Sequence, residues 1–149
     1  MISWIKQWFK PKGMDEQAAI KRAAVLQIIP QLEQLMRLNI AHCAEEDFNT
    51  PKLFTTYIMF VMGAIEQLGE SFDEAQQLAA LLIYLQKNTQ YEEQGISKII
   101  GQTMTFSEQT EWQDIMKQGQ QACIAWLNED NNASLMMRDI FSKQLSDPS

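Results

Sequence analysis

The sequence is poor in the residues on which most catalytic and metal sites depend. It has one histidine, His42, and two cysteines, Cys43 and Cys123, among 149 residues. This excludes zinc sites with paired Cys or His ligands, and helical di-iron sites that need Glu-x-x-His on two helices. Two cysteines outside any Cys-x-x-Cys motif are too few for a disulfide framework. We expect no metal, no other cofactor and no catalytic residue, and we expect two buried, reduced thiols in a cytoplasmic protein.

His42 is the one side chain with an acid–base or metal-binding option. Glu45 and Glu46 follow it at i+3 and i+4, so a continuing helix would place all three on one face. That arrangement is half of a metal or acid–base site. The more ordinary interpretation is a histidine at a helix end beside a carboxylate, favoured by the helix dipole by about 0.3–1 kcal/mol. We expect the ordinary interpretation, and hence a protein that is not an enzyme.

Basic residues are also scarce, at 12 Lys and Arg against 19 Asp and Glu, so that the formal charge is −7 and the isoelectric point is about 4.7. A nucleic-acid binder ordinarily carries a basic patch on a basic domain, so we do not expect a nucleic-acid partner. The field of an acidic protein raises the association rate of basic partners. The composition therefore favours a protein partner, and a basic one in particular.

Charge is divided unevenly along the chain. Residues 1–13 hold three Lys and no acidic residue, a charge of +3, whereas residues 14–149 hold nine Lys and Arg against 19 Asp and Glu, a charge of −10. At 100° per residue the first ten residues form an apolar arc and a polar arc on a short helix. The residues that we expect to dock on a membrane or a partner are Ile2, Trp4, Ile5, Lys6, Trp8, Phe9 and Lys10. The chain therefore divides into a cationic amphipathic segment, 1–13, and one acidic helical domain, 14–149.

Two interpretations of this segment remain open. Helices that lie on an anionic membrane surface are typically cationic, with tryptophan on the apolar face. In this interpretation the segment docks on the inner membrane. Alternatively, the rings pack on the domain or on a second copy in a homodimer. We prefer packing, because one short helix binds membranes only marginally. The segment also lacks the apolar run of about 7–15 residues that marks a signal peptide.

Apolar residues recur at three- and four-residue spacing through the domain, and no segment alternates with period two. Together with the capping residues, this pattern predicts helices over 16–40, 52–68, 71 or 73 to 88, 91–104, 108–127 and 134–145. Thr50 is the predicted N-cap of the second helix, and Ser71 or Asp73 starts the third. Pro30 lies inside the first pattern, so we expect a kink or two shorter helices there. The predicted fold class is all-α: a compact bundle of about five to six helices with a short N-terminal amphipathic helix.

Methionine is abundant, with nine residues, and methionine-rich surfaces can act as adaptable binding grooves. Met59 and Met62 lie in a very apolar helix, where we expect them to fill the core. Met136 and Met137 are adjacent on an edge helix, so they cannot both face one core. This doublet is therefore our candidate for exposure and partner binding.

From these features we predict a non-catalytic helical module that docks a protein partner, as inhibitors, immunity proteins, chaperones and adaptors do. One alternative is a peripheral membrane protein anchored by residues 1–13. The other is a bundle with an apolar ligand pocket, since such pockets are mostly apolar with few polar groups. The aromatic residues that would line a pocket, or else fill the core, are Phe54, Tyr57, Phe60, Trp112 and Trp126.

Overall fold

The structure, a computed structural model, describes residues 16–106 and 108–146. Within these ranges it contains six α-helices and no β-strand, so the predicted all-α bundle is confirmed. The helices are α1 (Glu16–Ile40), α2 (Pro51–Leu68), α3 (Glu74–Asn88), α4 (Glu93–Phe106), α5 (Thr110–Leu127) and α6 (Met136–Ser146). Short 3-10 helices, Glu45–Asn49 and Asn131–Ser134, precede α2 and α6.

Helix α2 forms the centre of the bundle and packs most extensively against α5. Two glycines allow the backbones to approach. A Cβ atom at Gly63 would lie 1.9 Å from the carbonyl oxygen of Met116, and one at Gly119 would lie 2.2 Å from the carbonyl oxygen of Phe60. Glycine inside a helix costs about 0.5–1 kcal/mol relative to alanine. At Gly63 and Gly119 a larger residue would prevent the close approach of α2 and α5, so glycine is required there despite its low helix propensity.

Helix α2 starts where it was predicted, and α3 starts with Asp73 as its N-cap, one of its two predicted starts. Thr50 stands at the N-cap of α2 and Pro51 is its first residue, although the Thr50 side chain makes no capping hydrogen bond. Asp73 caps α3 in a capping box: its side chain accepts from the backbone N–H of Gln76 at 2.8 Å, and the Gln76 side chain accepts from the backbone N–H of Asp73 at 3.0 Å. The two reciprocal bonds satisfy two backbone N–H groups at the start of α3 that have no partner within the helix.

Of the two alternatives expected at Pro30, the one with two shorter helices is wrong, because α1 is a single helix of 25 residues, and a kink stays a prediction. Pro30 itself is exposed. The apolar side chains before and after it are buried, namely Val25, Ile28, Ile29, Leu32, Leu35 and Met36. Packing of this face on the bundle offsets the one backbone hydrogen bond that proline cannot donate.

A buried asparagine joins the end of α1 to the start of α6. Asn39 is 0% exposed, donates from Nδ2 to the carbonyl oxygen of Leu35 at 3.1 Å, and accepts at Oδ1 from the backbone N–H of Met137 at 3.2 Å. The first N–H groups of a helix have no partner within that helix. Asn39 therefore supplies from α1 a cap for α6, and it fixes how the last helix sits on the bundle.

Candidate functional site

The N-terminal docking residues of the sequence prediction lie outside the described residues. They are Ile2, Trp4, Ile5, Lys6, Trp8, Phe9 and Lys10. The division of the chain after residue 13, and the choice between a membrane and a partner for that segment, stay predictions.

The methionine doublet is not an exposed pair. Met137 is 0% exposed and belongs to the core, while Met136 is half-buried against it. The hydrogen bond from the backbone of Met137 to Asn39 lies inside the protein and holds this end of α6 against α1. The expected exposure of Met137 is thereby corrected, and only Met136 keeps part of its surface available to a partner.

His42 does not share a helical face with Glu45 and Glu46. Helix α1 ends at Ile40, His42 lies in an exposed turn, and the two glutamates belong to the separate 3-10 helix. Across residues 16–106 and 108–146, no group of three or more His, Cys, Asp or Glu side chains is placed to hold a metal ion. His42, Glu45 and Glu46 therefore do not lie together on one helix, as the half-site suggested by their spacing would require.

Both cysteines are free thiols. Cys123 is fully buried as expected, whereas Cys43 is half-buried and donates to the carbonyl oxygen of Asn39 at 3.5 Å. Burial raises the pKa of each thiol to about 11. Because the thiolate is the reactive form, neither thiol is a good nucleophile at neutral pH.

Two of the five aromatic residues expected to line a pocket do so. Phe54 and Tyr57 line a cleft, whereas Phe60 is 0% exposed in the core. Trp112 is also a core residue, and Trp126 packs half-buried against the core. The core interpretation is thus correct for these three and also for Tyr57, which is 3% exposed, and the other cleft-lining residues were not among the five.

This cleft, about 510 Å³ in volume, opens where α2 begins and α3 ends. We call it the aromatic cleft, and it is lined by Ile40, Glu45, Phe48, Asn49, Phe54, Tyr57, Asn88, Thr89, Gln90 and Tyr91. Four of its rings form a chain of contacts. Ring centroids lie 5.2 Å apart for Phe48 and Tyr57, 5.9 Å for Phe54 and Tyr57, and 5.3 Å for Phe54 and Tyr91.

A buried pair of tyrosines supports the aromatic cleft from behind. The hydroxyl groups of Tyr57 and Tyr84 share a hydrogen bond of 2.7 Å, and both residues are buried. Burial raises the pKa of Tyr57 to about 12 and also raises the pKa of Tyr84. The two hydroxyls therefore stay neutral at physiological pH and hold the Tyr57 ring in place.

A second groove, about 560 Å³ in volume, lies toward the opposite ends of α2 and α3. We call it the acidic methionine groove, and it is lined by Met62, Glu66, Glu74, Gln77, Leu78, Thr103, Met104, Thr105, Glu108 and Met116. Three of these residues are methionine, three are glutamate and none is lysine or arginine. Helices α2, α3, α4 and α5 and the link before α5 all contribute to it.

Glu66 is the least exposed of the three groove carboxylates. It accepts a hydrogen bond from Nε2 of Gln120 at 2.5 Å. Burial raises the pKa of Glu66, and the bond from Gln120 opposes that rise. Among the residues that the structure describes, Glu66 has an amide partner but forms no salt bridge. An incoming cation would favour the charged carboxylate and offset its desolvation.

Met104 is the exposed methionine of the groove, and Met62 and Met116 line it from the core. Met62 and Met116 are buried, at 5% and 9% exposure, and Met104 is 40% exposed. An unbranched thioether side chain changes rotamer readily and fits irregular apolar shapes. The groove therefore offers apolar contact and negative charge to the same ligand.

The prediction that Met59 and Met62 fill the core is confirmed, whereas Met104, Met116, Glu66 and Glu108 were not singled out from the sequence. These residues are far apart along the chain, and no local motif relates them. The acidic net charge was the one signal that pointed toward such a surface.

Comparison with known proteins gives no relative on which to base a function. No protein-family model matches the chain, and no curated protein or solved structure matches it significantly. None of the helices in the described ranges combines the length and the apolar character that crossing a membrane requires.

Proposed function

We propose that this chain is a non-catalytic helical binding module whose acidic methionine groove holds a basic, apolar segment of a protein partner. The observation that carries the proposal is the lining of that groove, where three methionines and three glutamates meet without a lysine or arginine. Apolar side chains of the partner pack on the thioethers, and its Lys or Arg groups form charge-assisted hydrogen bonds with the carboxylates.

The chemistry of the groove favours an amphipathic helix as its occupant. Such a helix presents apolar anchors at i, i+3 or i+4 and i+7 to a hydrophobic groove. Glu66, Glu74 and Glu108 come from three separate elements, so cationic groups on either flank of a bound helix find a carboxylate. Methionine surfaces of this kind can repack around partners of different shape.

The net charge of the whole protein also favours a basic partner. The chain carries a net charge of −7, which attracts a basic partner over distances longer than a direct contact. Glu66 adds a short-range effect to this long-range attraction. It is half-buried, and burial disfavours the charged form of its carboxylate. A bound cation favours the charged form, so we expect affinity for a basic partner to fall as the pH is lowered and Glu66 takes up a proton.

A second function is favoured by the composition of residues 1–13. Three lysines and two tryptophans in this segment would attract it to an anionic lipid surface. The two functions are compatible, because such a segment would tether a partner-binding bundle at a membrane. If Trp4→Ala and Trp8→Ala together leave sedimentation with phosphatidylserine vesicles unchanged, the membrane function is wrong.

The partner-binding function is tested with a designed peptide, since the partner is unidentified. The probe is an amphipathic helical peptide of leucine and lysine carrying a fluorophore, and its counterpart replaces every lysine by glutamate. Fluorescence anisotropy with the full chain should show binding of the lysine peptide and none of the glutamate peptide. Equal binding of both would show that the groove selects apolar surface only and would overturn the proposal.

Two double variants separate the groove from the general negative charge. Glu74→Lys with Glu108→Lys reverses two groove carboxylates, whereas Glu46→Lys with Glu92→Lys makes the same change in net charge away from the groove. We expect the groove variant to weaken binding of the lysine peptide by roughly tenfold, about 1.4 kcal/mol, and the control variant to weaken it much less. An equal loss in both variants would assign the binding to long-range charge and reject the groove.

A further inference from the structure

We infer that the aromatic cleft is a binding site for a small organic cation of the quaternary ammonium class. This site is separate from the acidic methionine groove and does not depend on the function proposed for it. The inference stands on the chain of aromatic rings, the charge of the cleft lining and the size of the cleft.

The rings supply the attraction that an organic cation needs. Phe48, Phe54, Tyr57 and Tyr91 all line the cleft, and neighbouring ring centroids lie 5.2–5.9 Å apart. A cation within about 6 Å of a ring centroid is attracted by the ring quadrupole, and several rings around one trimethylammonium group add their attractions. No two of these contacting rings are parallel, since they are tilted by 50–85°. Phe48, Phe54 and Tyr91 keep exposed surface on the cleft, whereas Tyr57 is 3% exposed.

The charge of the lining selects a cation over a neutral or anionic ligand. Glu45 is the one charged residue among the cleft-lining residues, and no Lys, Arg or His joins it. An anion would meet a carboxylate and no counter-charge. A cation gains the attraction of Glu45 in addition to the rings.

The aromatic lining of the cleft suits a quaternary ammonium group, which donates no hydrogen bond. The Tyr57 hydroxyl is already bonded to the Tyr84 hydroxyl at 2.7 Å. A primary ammonium needs three hydrogen-bond acceptors when it leaves water, whereas a trimethylammonium group needs none. A volume of about 510 Å³ is that of a small-molecule site.

The chain carries its own reporters of this site. It has three tyrosines: Tyr57 and Tyr91 line the cleft, and Tyr84 is bonded to Tyr57. With isotope-labelled tyrosine rings in the full chain, titration with choline should shift the Tyr57 and Tyr91 signals. The control ligand is 3,3-dimethylbutan-1-ol, which has the shape of choline without its charge. We expect it to bind about tenfold or more weakly, because it lacks the cation–π and Glu45 attractions.

Three single variants locate the cation. Tyr91 is 47% exposed, so Tyr91→Ala should fold, and we expect it to weaken choline binding about two- to fivefold. Tyr91→Phe keeps the ring and should keep most of the affinity. Leu127→Ala removes a residue that is 54% exposed and lies outside the cleft, and it should change nothing.

Two results would overturn the inference. Equal affinity for choline and its neutral analogue would make the cleft an apolar pocket without cation selectivity. Absence of any shift of Tyr57 and Tyr91 at about 10 mM choline, well above the roughly 1 mM dissociation constant expected of so small a ligand, would remove the site altogether.

Discussion

The aromatic cleft and the acidic methionine groove lie at opposite ends of the apolar helix α2, and the side chains that line them differ in chemistry. At the start of α2, Phe54 and Tyr57 contribute stiff rings, and the cleft has one carboxylate. Toward its end, Met62 and Glu66 contribute to a lining of flexible thioethers and three carboxylates. Rigid rings suit a ligand of fixed small size, whereas thioethers suit a variable apolar surface. The comparison shows that site chemistry follows from a few side chains at each end of a shared core helix.

The largest expected effect concerns the helix crossing that lies between the two sites. Gly63→Ala places a Cβ against the backbone of Met116, which lines the groove. We expect a loss of about 3 kcal/mol in the free energy of unfolding, the upper end for overpacking. We also expect the NMR chemical shifts of the groove methionines to change more than those of Tyr91 in the aromatic cleft. Chemical denaturation and NMR measure both.

Gly101→Ala is the matched control for this change. A Cβ at Gly101 would meet no atom within 4 Å, and the position is exposed on α4. We expect a gain of about 0.4–1 kcal/mol in the free energy of unfolding, because alanine restricts the unfolded chain and favours the helix. The same sign for both substitutions would contradict the close α2–α5 packing.

The next effect tests what holds the aromatic cleft. Tyr57→Phe leaves the buried hydroxyl of Tyr84 without its partner, and we expect this to lower the free energy of unfolding by about 1–3 kcal/mol. Adding Tyr84→Phe removes both hydroxyls and should restore most of that loss. If the double variant is no more stable than the single one, the hydrogen bond is not what stabilises the pair.

A pH dependence follows from the same tyrosines. In the folded chain the pKa of Tyr57 is raised to about 12, against an ordinary value of 10.0. The unfolded chain therefore loses this proton first, and the stability that depends on it is complete below pH 10 and is lost as the pH rises toward 12. Between pH 9 and 12, the free energy of unfolding should fall less steeply with pH in the variant with both Tyr57→Phe and Tyr84→Phe than in the parent protein. Parallel curves for the two proteins would show that other groups cause the alkaline loss.

The smallest expected effect concerns the groove. Burial raises the pKa of Glu66, so its contribution to stability is present below its ordinary pKa of 4.5 and declines as the pH rises through the folded value. At neutral pH we expect Glu66→Gln to leave the free energy of unfolding within about 0.5 kcal/mol of the parent or to raise it slightly. The same variant should weaken lysine-peptide binding. Destabilisation by several kcal/mol would instead make Glu66 a structural residue.

The fold was largely predictable from the sequence, because helix periodicity and capping are local signals. Pro51 marks the start of α2 in the sequence as it does in the structure, and Asp73, one of two candidates, marks the start of α3. At Pro30 the local signal left a break of the helix open, whereas burial of the surrounding apolar face keeps α1 continuous. The local signal also says nothing of Asn39, whose bond to Met137 spans 98 positions.

The two sites were not predictable in the same way. Phe54 and Tyr57 were identified as candidate pocket residues, but Phe48 and Tyr91 come from links whose position depends on the ends of α1 and α3. Glu66, Glu74 and Glu108 come together through packing of α2, α3 and the link before α5. Sequence spacing carries no information on such long-range placement.

The most direct test of the proposed groove is to locate a bound peptide by NMR. With 13C-labelled methionine methyl groups in the full chain, the lysine–leucine peptide should show nuclear Overhauser contacts from its leucines to Met62, Met104 and Met116. The fully buried Met36 and Met59 should show none. Leucine contacts confined to other methionines, with the three groove methyl groups unaffected by saturating peptide, would contradict the account.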